Sequence, residues 1–167
     1  MRNRGFTLIE LMITVAVLAI ALTIAVPSFR AVIQSNRVST STNELIATLS
    51  FARSEAIRNS RGSGVCASAT GSDCDGTWGQ GLMVWGDTNG NGQFDAAEPV
   101  LRFIAANPQL ELVAEADRVT FDGRGRRGDP QDFAFDLQAK DCEGRPYKRT
   151  ISVSPTGQIS TAKGVCE

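Results

Sequence analysis

The sequence predicts an α+β fold in which a long N-terminal helix, apolar in its first half and amphipathic in its second, packs on an antiparallel β-sheet domain. Three observations carry this prediction. Phe6 to Val26 is an apolar run with a single charge, Glu10. From Phe29 to Ile57 apolar residues recur mostly at three and four positions, the helical period. Beyond Gly64 the pattern changes to short β-like runs between turns. The expected divisions are an N-terminal segment at 1–5, the apolar half of the first helix at 6–27, its amphipathic half at 28–60 and a β-rich head at 61–167.

The apolar run comes first. As a helix it reaches about 30 Å at ~1.5 Å per residue, the hydrocarbon thickness of a bilayer. A carboxylate one turn into such a span costs on the order of 3 kcal/mol unless it is paired or neutralised, so Glu10 is a functional candidate. Met1-Arg2-Asn3-Arg4-Gly5 carries two arginines and no acid, which by the positive-inside rule keeps the N-terminus cytoplasmic and exports the rest. Val26-Pro27-Ser28-Phe29-Arg30 offers no small-residue cleavage pattern behind the run, so the segment is expected to stay as an anchor.

The amphipathic half follows. Phe29, Val32, Ile33, Leu45, Ile46, Leu49, Ala52, Ala56 and Ile57 are separated by Arg30, Arg37, Glu44, Arg53 and Glu55, giving one apolar and one charged face. The helix should end near Asn59, because Ser60-Arg61-Gly62-Ser63-Gly64 supplies helix-stopping glycines. Ser39 to Thr42 is its weakest stretch, and Ser41-Thr42-Asn43-Glu44 fits a capping box that would mark a break. Strands are expected at Gly81 to Trp85, Val100 to Ile104, Leu110 to Val113, Val119 to Phe121, Phe133 to Leu137 and Thr150 to Val153, with Gly157-Gln158 turning into Ile159. Trp78 and Trp85 read as core or sheet-packing residues.

Composition fits one exported domain behind the anchor. The 167 residues are 42% hydrophobic and 21% charged with a net charge of -1, so no overall basic field draws the chain to nucleic acid. Four cysteines, all beyond the apolar run, suit an oxidising compartment and two disulfides. Cys66 and Cys74 lie close together in a turn-rich stretch, and Cys142 and Cys166 flank the last hairpin, so they are paired in that order. Sequence alone still permits all three connectivities.

Gly5-Phe6-Thr7-Leu8-Ile9-Glu10, followed by Leu11-Met12, resembles the class III signal of type IV pilins and pseudopilins. The resemblance implies that a prepilin peptidase cuts after Gly5 and that Phe6 becomes the methylated first residue. It implies that Glu10 pairs with a Phe6-type N-terminal amine in the filament or at docking. In a plain membrane anchor Glu10 would be no more than a tolerated polar residue. Pro27 falls where pilins bend or loosen the first helix, since proline removes a backbone donor and clashes with the preceding turn.

Leu49-Ser50-Phe51-Ala52-Arg53-Ser54-Glu55-Ala56 resembles the end of the first helix in the GspH/FimT-like group of minor pilins. Trp78 to Trp85, Asp87 to Gly92 and Glu98-Pro99-Val100-Leu101-Arg102 are similar to later parts of that group. The resemblance implies a structural subunit that primes or caps a type IV pilus, with minor and major pilins, the prepilin peptidase and the inner membrane as partners. It would sit in the inner membrane by a single span with a periplasmic head, then at the pilus tip. The type II secretion pseudopilus is the alternative fibre.

Asp87-Thr88-Asn89-Gly90-Asn91-Gly92-Gln93-Phe94-Asp95-Ala96-Ala97-Glu98 meets the EF-hand spacing. Asp87, Asn89, Asn91, Asp95 and Glu98 place oxygens at loop positions 1, 3, 5, 9 and 12, with glycine at 6. Two of these ligands are neutral and no helix pattern flanks the loop, so calcium would bind weakly. The alternative is a β-hairpin loop whose Asn and Gly serve positive φ angles.

Gly123-Arg124-Gly125-Arg126-Arg127-Gly128 formally matches a dinucleotide fingerprint, but Asp129-Pro130 follows where a helix is needed, so cofactor binding is rejected. Arg124, Arg126 and Arg127 remain candidate phosphate contacts. Some FimT-like pilins bind DNA through a Gly-Arg-x-Arg motif near the C-terminus. The corresponding turn here, Gly157-Gln158-Ile159-Ser160, lacks both arginines, and a solvated turn is the competing reading. The chain has no histidine, its cysteines are assigned to bridges and no serine sits in a nucleophile elbow, so no enzyme activity is expected. A structural subunit and a DNA-capturing module are the two readings left.

Overall fold

A computed structural model describes residues 6–142 and 144–166. The chain divides into two units, Met1–Asn36 and Arg37–Glu167. One helix, α1 (Leu8–Asn59), contributes residues to both. In the first unit the side chains from Leu8 to Val26 are exposed, and this part of α1 is long and apolar enough to cross a membrane. Pro27 lies within α1.

In the second unit α1 buries Val38, Thr42, Leu45, Thr48, Leu49, Ala52 and Ala56, steps of three and four that make one helical stripe. No break occurs at Ser39 to Thr42. No capping box forms because α1 runs unbroken through Ser41 to Glu44, and Thr42 Oγ1 donates to the Val38 carbonyl at 2.7 Å, the back-bond of a hydroxyl residue inside a helix. The helix stops where Asn59 Oδ1 accepts the amides of Arg61 and Gly62 at 2.8 and 3.0 Å and Ser60 takes φ 57°.

Among the described residues eight strands follow: β1 (Gly62–Ala67), β2 (Gly81–Gly86), β3 (Val100–Ala105), β4 (Leu110–Ala114), β5 (Arg118–Asp122), β6 (Phe133–Ala139), β7 (Lys148–Val153) and β8 (Ile159–Gly164). They form not one sheet but two, ordered β3-β2-β1-β5 and β4-β6-β7-β8. All pairings are antiparallel. The first sheet recruits β5 beside β1, which leaves β4 to open the second.

β1 is not expected from the sequence, where Gly62-Ser63-Gly64 reads as a helix stop. Its small residues are dictated by packing. Ser63 is fully buried and its hydroxyl donates to the Ala52 carbonyl of α1 at 2.5 Å, so the strand runs close under the helix. β1 and β2 are buried on both faces. Val65, Ala67, Leu82 and Val84 join the main core beneath α1, while Cys66, Met83 and Trp85 form a small cluster on the opposite face with Cys74 and Phe94. In the second sheet β6 alternates, with Phe133, Phe135, Leu137 and Ala139 buried, as period-two geometry requires. Trp78 closes this core edge-on to Phe135 at 4.9 Å, and its Nε1 donates to the Ala116 carbonyl at 2.8 Å.

Cys66 is bonded to Cys74 and Cys142 to Cys166, with Cα separations of 5.7 and 6.0 Å. Cys66 lies in β1 rather than in a turn. The second bridge carries the C-terminal end back to the segment after β6, where the Cys166 amide also donates to the Arg145 carbonyl at 3.0 Å.

Candidate functional site

The N-terminal end of α1 concentrates the residues singled out for assembly. Gly5 lies outside the described residues. Phe6 is exposed, and Thr7 stands immediately before the helix. Thr7 Oγ1 accepts the Glu10 amide at 3.3 Å, and the Leu11 amide donates to the Thr7 carbonyl at 3.2 Å. Thr7 is therefore the N-cap, satisfying one of the orphan donors of the first turn. Sequence reading missed this role, although Thr-x-x-Glu is the pattern that signals it. Glu10 is the acid of the first turn, favourably placed for the helix dipole. Its side chain is exposed, and no cation pairs with it among the described residues. A carboxylate presented from an apolar helix without an internal partner is chemically suited to receive an amine from elsewhere.

The loop from Asp87 to Glu98 closes on its own donors. Asp87 Oδ1 accepts the amides of Gly90 and Asn91 at 2.7 and 3.1 Å, and its Oδ2 accepts that of Gly92 at 2.8 Å. Glu98 accepts the Thr88 amide at 2.7 Å and the Asp95 amide at 3.2 Å. The side-chain amides of Asn89 and Asn91 both donate to Asp95 Oδ2, at 2.6 and 3.0 Å. Asp87 and Glu98 are buried. Among the described residues no group of three or more His, Cys, Asp or Glu side chains is arranged to hold a metal ion. Gly90 and Gly92 have φ near +76° and +71°, the left-handed conformation that glycine adopts without penalty.

The arginine-rich turn is largely committed to its own structure. Asp122 Oδ1 accepts the amides of Arg124 and Arg126, both at 2.9 Å, and the Arg126 guanidinium reaches Oδ2 at 3.3 Å. Burial pushes the Asp122 carboxyl up, but these amides and then the guanidinium outweigh it and hold the group below the usual carboxylate range. Arg127 donates to the carbonyls of Gln131 and Val153 at 2.7 and 3.0 Å and stacks over Phe133 at 5.3 Å. Burial lowers its pKa, with Asp129 and Asp132 opposing. Arg124 and Arg126 are exposed, so two of the three candidate phosphate contacts face solvent and one is structural.

Arg53, which sequence reading placed only on the polar face of the helix, joins two turns. Its Nε donates to the Gly125 carbonyl at 2.9 Å and a terminal nitrogen to the Thr156 carbonyl at 3.2 Å. One turn leaves β5 and the other joins β7 to β8, so a single guanidinium links α1 to both sheets. An open groove of ≈ 450 Å³ lies beside it, walled by Ile46, Ser50, Ile57 and Ile159. A cavity of ≈ 50 Å³ lies among Leu45, Trp78, Leu82, Ile104, Leu110 and Leu137, far smaller than the roughly 300 Å³ at which ligand pockets begin.

The family model for the type II transport protein GspH matches residues 41–157. The prokaryotic N-terminal methylation motif matches residues 1–26. A crystal structure of the type IV minor pilin FimU of Pseudomonas aeruginosa PAO1, in space group P65, is similar with 25% identity and a TM-score of 0.56, covering 74% of this chain and 91% of that one. A second FimU crystal form, P21, is similar in fold at 23% identity and TM-score 0.58, covering 76% and 89%. No curated protein matches the chain.

Proposed function

Because the chain belongs to the family of the type II transport protein GspH, we propose that it is a minor pilin that enters a type IV pilus through α1 and primes or caps the filament. The observation that carries this reading is Glu10, exposed one turn into an apolar helix and unpaired among the described residues. In the proposed sequence a prepilin peptidase cuts after Gly5, and Phe6 is methylated and becomes the N-terminus. The head faces the periplasm while the apolar first half of α1 spans the inner membrane. The amine of Phe6 then lies against Glu10 of an adjoining subunit, where low dielectric makes the pairing of the two charges strong and leaving either alone costly.

The description of the family model favours a second fibre, the type II secretion pseudopilus. The likeness to a type IV minor pilin over 74% of the chain favours the pilus. Deleting the gene and scoring piliation against protein secretion separates them.

Gly5 and Glu10 act at different steps in this proposal. Gly5→Val should leave uncut precursor in the inner membrane. Glu10→Ala should be cut normally yet fail to join the filament. Normal piliation in a Glu10→Ala strain whose parent needs this protein would overturn the pairing. DNA capture through Arg124 and Arg126 remains a separate proposal, supported by their exposure. Replacing both with glutamine, scored for DNA retardation against pilus number, tells a DNA-capturing head from a purely structural one.

A further inference from the structure

The geometry points to Asn89 and Asn91 as a paired site of spontaneous deamidation that Asp87 holds in check. Each asparagine is followed by a glycine. With no side chain on the next residue, that residue's backbone nitrogen has open access to the asparagine side-chain carbon. In the reaction the glycine nitrogen attacks Cγ, a C–N bond forms, and the side-chain nitrogen leaves as ammonia after taking up the proton lost from the backbone. Water then opens the cyclic imide at either carbonyl, giving aspartate or isoaspartate. Both asparagines are exposed, so solvent supplies the water.

The loop restrains both partners of that reaction. The attacking nitrogens are the amides of Gly90 and Gly92, and each donates to an oxygen of the same Asp87 carboxylate, at 2.7 and 2.8 Å. A fixed negative charge beside the amide disfavours the deprotonated nitrogen that must form, and the hydrogen bond holds it away from Cγ. The carbon under attack is held as well. Asn89 Oδ1 accepts the Asn91 amide at 3.0 Å and Asn91 Oδ1 accepts the Gln93 amide at 2.7 Å, while both side-chain nitrogens rest on Asp95. Reaction is thus confined to moments when the loop opens. Asp87 itself is buried, and it is placed by its own amide donating to the Gly62 carbonyl at 3.1 Å. Conversion of either asparagine would add a carboxylate beside Asp95, replacing an attractive contact by a repulsive one.

The test is peptide mapping of the full chain in detergent, incubated at mildly alkaline pH, with isoaspartate quantified at positions 89 and 91. The native chain should react at least about tenfold more slowly than the same chain unfolded in urea with its disulfides intact, since hydrogen bonds to a charged acceptor must first break. Asp87→Asn, checked by circular dichroism to be folded, should approach the unfolded rate at both positions. Hydrogen exchange on the unaltered protein gives an independent readout, with the Gly90 and Gly92 amides expected to be protected. Equal rates in the native and unfolded chain, a folded Asp87→Asn variant that reacts no faster, or unprotected glycine amides would each overturn the inference.

Discussion

The indole of Trp85 lies across the space that a β-carbon on its cross-strand partner Gly64 would occupy. The ring is fully buried and meets Phe94 edge-on at 6.1 Å, so the same side chain covers β1 and anchors the loop between β2 and β3. Gly64→Ala should force the indole aside and cost about 1–3 kcal/mol, the range for overpacking a filled core. Urea denaturation of the full chain in detergent checks this. Tryptophan emission should shift to the red as the ring loses its cover, and an unchanged midpoint and emission would refute it.

Arg53 makes the second test of packing. Arg53→Met keeps much of the aliphatic stem but removes both carbonyl contacts, leaving the oxygen of buried Gly125 and that of Thr156 without this donor. The loss should be about 1–2 kcal/mol, and Arg53→Lys should restore only part of it because an ammonium cannot reproduce the planar fork. Full rescue by lysine would show that charge, not the two-point contact, is what matters there.

The long elements were legible in the sequence because their causes are local. The membrane-length run needs only composition, and the buried stripe from Val38 to Ala56 needs only period. β1 was not legible, because Gly62, Ser63 and Gly64 have poor strand propensity and are placed by tertiary demands, the approach of Ala52 and the indole of Trp85. The same reasoning explains Arg53, whose partners lie 72 and 103 residues away. The division into two sheets was equally hidden, since which strand lies beside β1 depends on partners remote in sequence. Asp87 and the asparagines that follow it were legible as a turn-rich loop, but not the direction of their hydrogen bonds.

Asp122 gives a pH test with a definite sign. Its carboxyl is held below the usual range in the folded chain by the amides of Arg126 and Arg124 despite its partial burial. A depressed folded pKa contributes stability that is present above the unfolded value and lost as pH falls through the folded one. Denaturation midpoints measured downward from neutrality should therefore fall less steeply in Asp122→Asn than in the parent, with the difference confined to the acid range at and below ordinary carboxylate values. Parallel curves would mean that the turn gains nothing from the charge.

The bridge between Cys142 and Cys166 closes the longer of the two loops, 24 residues against 8. Chain-entropy reasoning gives it about 3 kcal/mol. The double substitution Cys142→Ser with Cys166→Ser should lower Tm by roughly 10 °C relative to the unaltered chain for a domain of this size. Removing the Cys66 to Cys74 bridge should cost less through loop closure alone, but its burial against Trp85 adds a packing loss. A smaller effect from the longer loop in the calorimeter, after that packing is allowed for, would count against the entropic account.

Calcium is the last question the Asp87 to Glu98 loop poses. If Asp87, Asn89, Asn91, Asp95 and Glu98 turned to a metal, calcium would stabilise the chain by RT ln(1 + [L]/Kd), about 2.7 kcal/mol at a hundredfold excess over Kd. The loop, however, already spends these carboxylates on its own donors. Asp87 accepts three amides, Glu98 binds the amides of Thr88 and Asp95, and Asp95 takes both asparagine side chains. Two of the ligands are neutral as well, so binding that must first break these bonds falls short of even the weak range of about 10⁻⁴ to 10⁻³ M. We therefore expect the Tm of the full chain to agree between millimolar calcium and chelator. A rise in calcium that Glu98→Gln abolishes would reverse this expectation, because it would require the bidentate ligand to exchange its amide partners for the ion.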